Sequence, residues 1–166
     1  ILVIRLHPIY YRMKDTELVF QKQLNEINKL AEKYNHVVVN EPHIETDVMN
    51  YSMPDKEIKL LASLLKHSSL MVNMFSSLNI EASIFDTPLV NVSFENENNK
   101  SNEHKARFNI KLDLRQTHNQ RIVNSDGVTM VYKSNDLISA IIENLAQPDK
   151  LQYGRKKIVD TEVGAY

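Results

Sequence analysis

The chain has 166 residues, 42% hydrophobic and 25% charged, with a formal net charge of −1 and no cysteine. That is enough chain for one domain with a real core, and the charge balance gives no footing for bulk nucleic-acid or membrane-surface binding. Disulfides, thiolate zinc sites and thiol nucleophiles are excluded, and no apolar run approaches the ~20 residues of a membrane span.

The first element is an apolar strand, ILVIRLHP, expected to be buried on both faces. It starts at Ile1 with no leading Met. The chain stops abruptly at IVDTEVGAY. The expectation is a piece of a longer protein. Asp15 or Thr16 is a candidate cap for the next element. From there Phe20, Leu24, Ile27, Ala31 and Tyr34 fall at four-three-four-three spacing, which predicts an amphipathic helix ending near Asn35. HVVVNEP (36–42) reads as a second strand, and 43–54 as a polar loop. Asp55 is the predicted N-cap of a helix with Ile58, Leu61 and Leu65 on one face.

SLMVNMF (69–75) is the predicted third strand, and PLVNVSF (88–94) the fourth. Residues 95–109 are almost wholly polar, and a loop that long inside a domain is usually functional or mobile. QRIVNS and VTMVYKS read as short strands around a turn at Asp126-Gly127. Ser134 or Asn135 is placed to cap a helix with Leu137, Ile138, Ile141, Ile142 and Leu145 on one face. A last basic helix follows from about Leu151. Strands alternating with helices predict an α/β fold, a Rossmann-like doubly wound parallel sheet with helices on both faces, as a single domain over 1–166.

Ligands of such sheets bind at the carboxyl ends of strands, over helix N-termini. That rule selects His7, Glu41, His43, Ser76, Ser77 and the Ser93–Glu95 stretch. Ser76-Ser77 is the sharpest signal. Only 3 glycines occur in the whole chain, so Gly-rich phosphate loops are absent. A serine pair at a helix start offers hydroxyls beside unpaired N–H groups, and serves either as a cap or as a phosphate cradle. Glu81 follows one turn on, and its carboxylate can accept two hydrogen bonds from a ribose diol or pair with a lysine or backbone group. His7 ends the first strand before Pro8, as a phosphate partner or a carbonyl cap. His104 and His118 sit with Lys105, Arg107, Lys111, Arg115 and Arg121 in the most basic region, suited to a diphosphate or an acidic acceptor, or simply a solvated surface. No metal-ligand spacing is present, and neither a metal nor a cofactor is expected.

RLHP, SSLNIEASIFDTPLVNVSF, THNQRIVNSDGVTMVYKSNDLISAIIENL and LQYGRKKIVD together resemble the C-terminal half of GT-B-fold transferases. The nearest in pattern are the CDP-glycerol glycerophosphotransferases and surface-polysaccharide glycosyltransferases. The resemblance spans nearly the whole chain. It implies the donor-nucleotide-binding domain of an enzyme that builds surface polysaccharide. By position, Ser76 and Ser77 would bind the donor diphosphate and Glu81 the ribose. His7 would meet a phosphate or the leaving group, and His118 would also face the phosphates.

Met74-Phe75 precedes the serines where the glycerophosphotransferases commonly carry Asp-Tyr, so CDP- and UDP-linked donors both stay open. The resemblance implies a separate N-terminal acceptor domain that carries the base, so this part by itself would bind nucleotide weakly without turnover. The charge balance leaves no nucleic-acid partner expected, and the cysteine-free chain fits a reducing compartment and a cytoplasmic location, with membrane association through the longer protein left open. Two readings compete. One is a UDP-sugar 2-epimerase-like domain; the other is a non-catalytic Rossmann-like interaction module. A flavodoxin-like receiver domain ranks below both, because Arg5 and His7 stand where acidic residues would be needed.

Overall fold

Parallel strand pairing organises both halves of the chain. The computed structural model describes residues 1–7, 13–14, 17–18, 20–43, 45–47, 50–94 and 110–164. The capping candidates Asp15 and Thr16, and the polar stretch 95–109 with His104, Lys105 and Arg107, lie outside the described residues. Contacts divide the chain into two compact units, Ile1–Leu61 and Ala62–Tyr166.

In the first unit, β1 (Leu2–Arg5) runs parallel to β4 (Val37–Asn40), with Leu2 opposite Val37 and Arg5 opposite Asn40. Short β2 (Met13–Lys14) and β3 (Glu17–Leu18) pair antiparallel. Helix α1 (Gln21–Lys33) packs on β4 and buries Leu24. Its exit is tight: the Tyr34 N–H donates to Leu30 O, and the Val37 N–H to Tyr34 O at 2.9 Å, which returns the chain directly into β4. The expected burial of β1 on both faces does not hold. Ile1, Leu2 and Val3 are exposed, and among the described residues β1 pairs with β4 alone. Residues 43–54 are not simply a loop either; β5 (Glu45–Asp47) and β6 (Asn50–Ser52) form an antiparallel hairpin.

The Arg5 guanidinium closes the end of this small sheet. It donates to Asn40 Oδ1 on the neighbouring strand and to Glu57 Oε2 at 3.2 Å. Glu57 is buried, so the ion pair compensates a carboxylate that would otherwise be costly to desolvate. It lies in the first turn of α2 (Asp55–His67), whose acidic start and basic end (Lys66, His67) complement the helix dipole. The division between the units falls within this helix.

The second unit is built on a three-stranded parallel sheet, β7 (Met71–Asn73), β8 (Leu89–Val92) and β9 (Thr129–Val131), in that order. Helix α3 (Leu78–Ile84) crosses from β7 to β8. Its end is marked by Asp86 in the left-handed region (φ 55) and by the Thr87 hydroxyl donating to Leu65 O at 2.7 Å. Two helical turns, α4 (Ile110–Asp113) and α5 (Thr117–Val123), precede β9. QRIVNS is therefore helix and helix exit, not strand. The residues that read as a strand, Ile122 and Val123, alternate poorly with their polar neighbours, and Ile122 packs as a helix-face residue that is almost fully buried.

A short 3-10 turn (Ser134–Asp136) leads into α6 (Leu137–Ala146), and no side-chain cap is made there. Val90 and Val131 of the sheet meet Ala140 of α6 in a core flanked by Leu70, Phe94 and Leu137. The Asn144 amide donates to Ala140 O and to Thr129 Oγ1 at 3.0 Å, tying α6 to β9. The five apolar residues predicted on one face of α6 divide. Leu137 and Ile141 are partly buried, whereas Ile138 and Ile142 are 69% and 62% exposed. The small and polar residues Ala140 and Asn144 take the most buried line instead.

Helix α7 (Gln152–Glu162) packs against α3. Its Arg155 is 1% exposed and pairs with Asp86 Oδ1 at 2.6 Å while donating to Pro148 O at 2.8 Å. Gly154 lets the helix meet the Asp126-Gly127 turn backbone to backbone. A Cβ there would fall well inside contact distance of Asp126 C and Gly127 N. Among the described residues no helix is long and apolar enough to cross a membrane.

Candidate functional site

The turn joining β7 to α3 presents Ser76 and Ser77 at the carboxyl end of a parallel strand. The two serines differ. Ser76 Oγ accepts the Leu78 N–H at 3.0 Å and lies 3.5 Å from Asn73 Nδ2. It therefore does the work of a cap. Ser77 is exposed and its hydroxyl caps nothing. The N–H groups of Asn79, Ile80 and Glu81 are taken up by Ser76 O and Ser77 O. Ser77 and Glu81 are one turn apart and share a helix face. The Glu81 carboxylate is half-buried and makes no ion pair among the described residues.

Residues 69–94 contain no lysine, arginine or histidine. Within the segment no side-chain cation is available to a charge brought to this turn. His7 belongs to the first unit, exposed just beyond β1. His118 lies in the first turn of α5, exposed, and forms no hydrogen bond or ion pair with Ser76, Ser77 or Glu81 among the described residues. Its charge adds to the forces that hold the Glu162 carboxyl ionised. So the expected residues Ser76, Ser77 and Glu81 share one turn, His118 is not bonded to it among the described residues, and His7 belongs to the other unit. Glu41 and His43 are exposed past β4 in the first unit.

A cleft of about 180 Å³ lies between α5 and α7, over Ile122 and Ile158. Arg121 spans it to Glu162 through two bonds, Nε to Oε1 at 2.5 Å and a second nitrogen to Oε2 at 2.9 Å. The hydrogen bond from Arg121 is the main reason the Glu162 carboxyl sits below the usual carboxylate range, and Glu162 in turn raises the guanidinium. Lys157 Nζ donates to Asn124 O at the end of α5. Both cations of the cleft are thus already engaged.

Sequence reasoning missed the polar layer beside the serine turn. Asn79 and Asn91 are fully buried, Ser93 nearly so, and Asn73 half-buried. The signal was present: each of the apolar runs LMVNMF and LVNVSF is interrupted by an asparagine, and these two residues, Asn73 and Asn91, are register partners. The Arg155–Asp86 pair left no such signal, since its partners are separated by 69 positions. Among the described residues no three His, Asp or Glu side chains cluster as a metal site would require. No family model, curated protein or solved structure matches the chain.

Proposed function

We propose that this chain is the donor-nucleotide-binding domain of a GT-B-type transferase, either a glycosyltransferase or a glycerophosphotransferase acting on surface polysaccharide. The observation that carries the reading is the uncommitted Ser77 hydroxyl on an exposed turn at the carboxyl end of β7, inside a parallel β-α-β unit. This is the edge at which open α/β sheets take their ligands. Ser76 fixes the turn by accepting the Leu78 N–H, and Ser77 faces the diphosphate. Glu81, on the same face, takes the ribose diol.

As the bond to the transferred group breaks, negative charge grows on the leaving nucleotide, the nucleoside diphosphate when a sugar is transferred and the nucleoside monophosphate when glycerophosphate is. The Ser77 hydroxyl donates to that charge, beside the partial positive charge of the helix start. The resemblance assigns the cationic share to His7 and His118. The acceptor and its base belong to another domain.

The test is a thermal-shift series with CDP, UDP and GDP. A ligand that binds only the folded chain raises its melting temperature by mass action. At least one of the three is expected to do so, and Ser77→Ala is expected to lose the shift. No shift with any nucleotide, or an equal shift in the variant, overturns the reading.

A further inference from the structure

Six buried side-chain atoms in one layer have no hydrogen-bond partner: Asn73 Oδ1, both amide atoms of Asn79, both of Asn91, and Ser93 Oγ. Their placement follows from the sheet. Asn73 and Asn91 are opposite each other on β7 and β8. Ser93, two residues beyond Asn91, points to the same side by strand alternation. Val90 points to the other side, into the core with α6. Asn79 is on the buried side of α3, which packs against β8. Buried polar atoms without partners are rare in folded proteins because each forfeits its hydration, and three amides and a hydroxyl that carry them in one layer call for a use.

Their chemistry narrows the occupant. Amide and hydroxyl groups both donate and accept, and so match sugar or polyol hydroxyls. Residues 69–94 supply no cation for a phosphate, and none of the four side chains carries a ring on which a base could stack.

Helix α3 is held unevenly. Its far end is fixed by the Thr87–Leu65 bond and by Asp86 bound to Arg155. Its near end is held by the Ser76–Leu78 bond and the 3.5 Å approach of Asn73. We propose that α3 is hinged at Asp86 and opens at its Ser76 end, admitting an uncharged polyhydroxylated group onto the amides of Asn73, Asn79 and Asn91 and the Ser93 hydroxyl. The group is the sugar, or the glycerol, that the donor carries beyond its diphosphate, so this inference rests on the nucleotide-donor reading.

Titration calorimetry on the full chain separates the two. UDP is compared with UDP-glucose, and CDP with CDP-glycerol. One full donor is expected to bind about tenfold more tightly than its own diphosphate, the worth of one or two added hydrogen bonds. Asn91→Leu is expected to bring the two affinities together while leaving that of the diphosphate unchanged. Should Asn91→Leu not fold, Ser93→Ala is expected to shrink the same ratio. If none of the four ligands binds, the donor reading fails. If a diphosphate binds and its donor binds no better, or the ratio survives the substitution, the opening of α3 onto these amides is refuted and the donor reading stands. Hydrogen exchange tests the hinge separately: the N–H groups of α3 are expected to exchange faster than those of α6, and equal protection rules the opening out.

Discussion

Adjacent serines with identical chemistry have different tasks here, and substitution can tell them apart. Ser76 accepts a backbone N–H at the entrance to α3, so Ser76→Ala should lower stability by about 1 kcal/mol, the ordinary loss for a helix-capping hydroxyl. Ser77 is exposed and bonds to nothing through its side chain, so Ser77→Ala should stay within about 0.5 kcal/mol of the parent. Urea unfolding of both variants measures the difference. Equal losses would mean that the hydroxyls share the capping and neither is spare for a ligand. The serine pair was legible from sequence because a helix start has a local chemical signature. The division of labour was not, because it depends on a turn that brings Ser76 Oγ to the Leu78 N–H and puts Ser77 itself in the helical region (φ −56°). The buried asparagines were half legible: their positions interrupt apolar runs, but only strand register shows that two of them are neighbours.

Elements in the second unit are joined at a few close points that sequence periodicity does not predict. One is the turn after α3. Asp86 adopts a left-handed conformation and neutralises a guanidinium that is almost wholly buried. Asp86→Ala removes the partner of a buried charge and places a residue with a Cβ but no compensating side-chain bond at positive φ. A loss of about 3 kcal/mol is expected. Asp86→Asn keeps a residue type that tolerates this backbone region and should lose about 1 kcal/mol less. Denaturant midpoints of the two variants check the order, and a reversed order would show that the backbone conformation contributes nothing. The second point is Gly154, where α7 touches the Asp126-Gly127 turn through backbone atoms. Gly154→Ala normally favours a helix by about 1 kcal/mol. Here the added methyl meets backbone that cannot move aside as a side chain would, so a net loss of about 2 kcal/mol or more is expected in the same measurement. The glycine itself is easy to find in LQYGRKKI; the surface it meets is 27 residues upstream and invisible to any local pattern. The failure at α6 has a related cause. Five apolar residues in ten gave a broad stripe, yet the sheet accepts the narrower line through Ala140 and Asn144, and Ile138 and Ile142 are left outside.

At the scale of the whole molecule, the alternation of strand and helix was enough to read parallel α/β architecture, since parallel strands need long crossovers and the apolar runs are spaced to allow them. The division into two units within α2 was not readable, because the helix pattern runs through Asp55–His67 without interruption. One contact with a definite pH response joins α5 to α7. With a formal net charge of −1, general charge repulsion is weak near neutrality. The carboxyl of Glu162, hydrogen-bonded by Arg121 and helped by the nearby His118, is held below its ordinary value, with partial burial opposing the shift. A carboxyl depressed in the folded state adds stability that is fully present above its unfolded value, about 4.3, and is lost as pH falls through the lower folded value. Arg121 is half-exposed, so the contribution is reduced by solvent screening and should fall further in salt. Glu162→Gln should therefore melt slightly below the parent at pH 7, and the gap should close as the pH is taken well below 4 or the salt raised to about 1 M. Melting curves of both proteins across that range make the measurement. A gap that persists in acid would assign the effect of Glu162 to packing across the α5–α7 cleft, and the ionic bond between these helices would then carry no measurable share of stability.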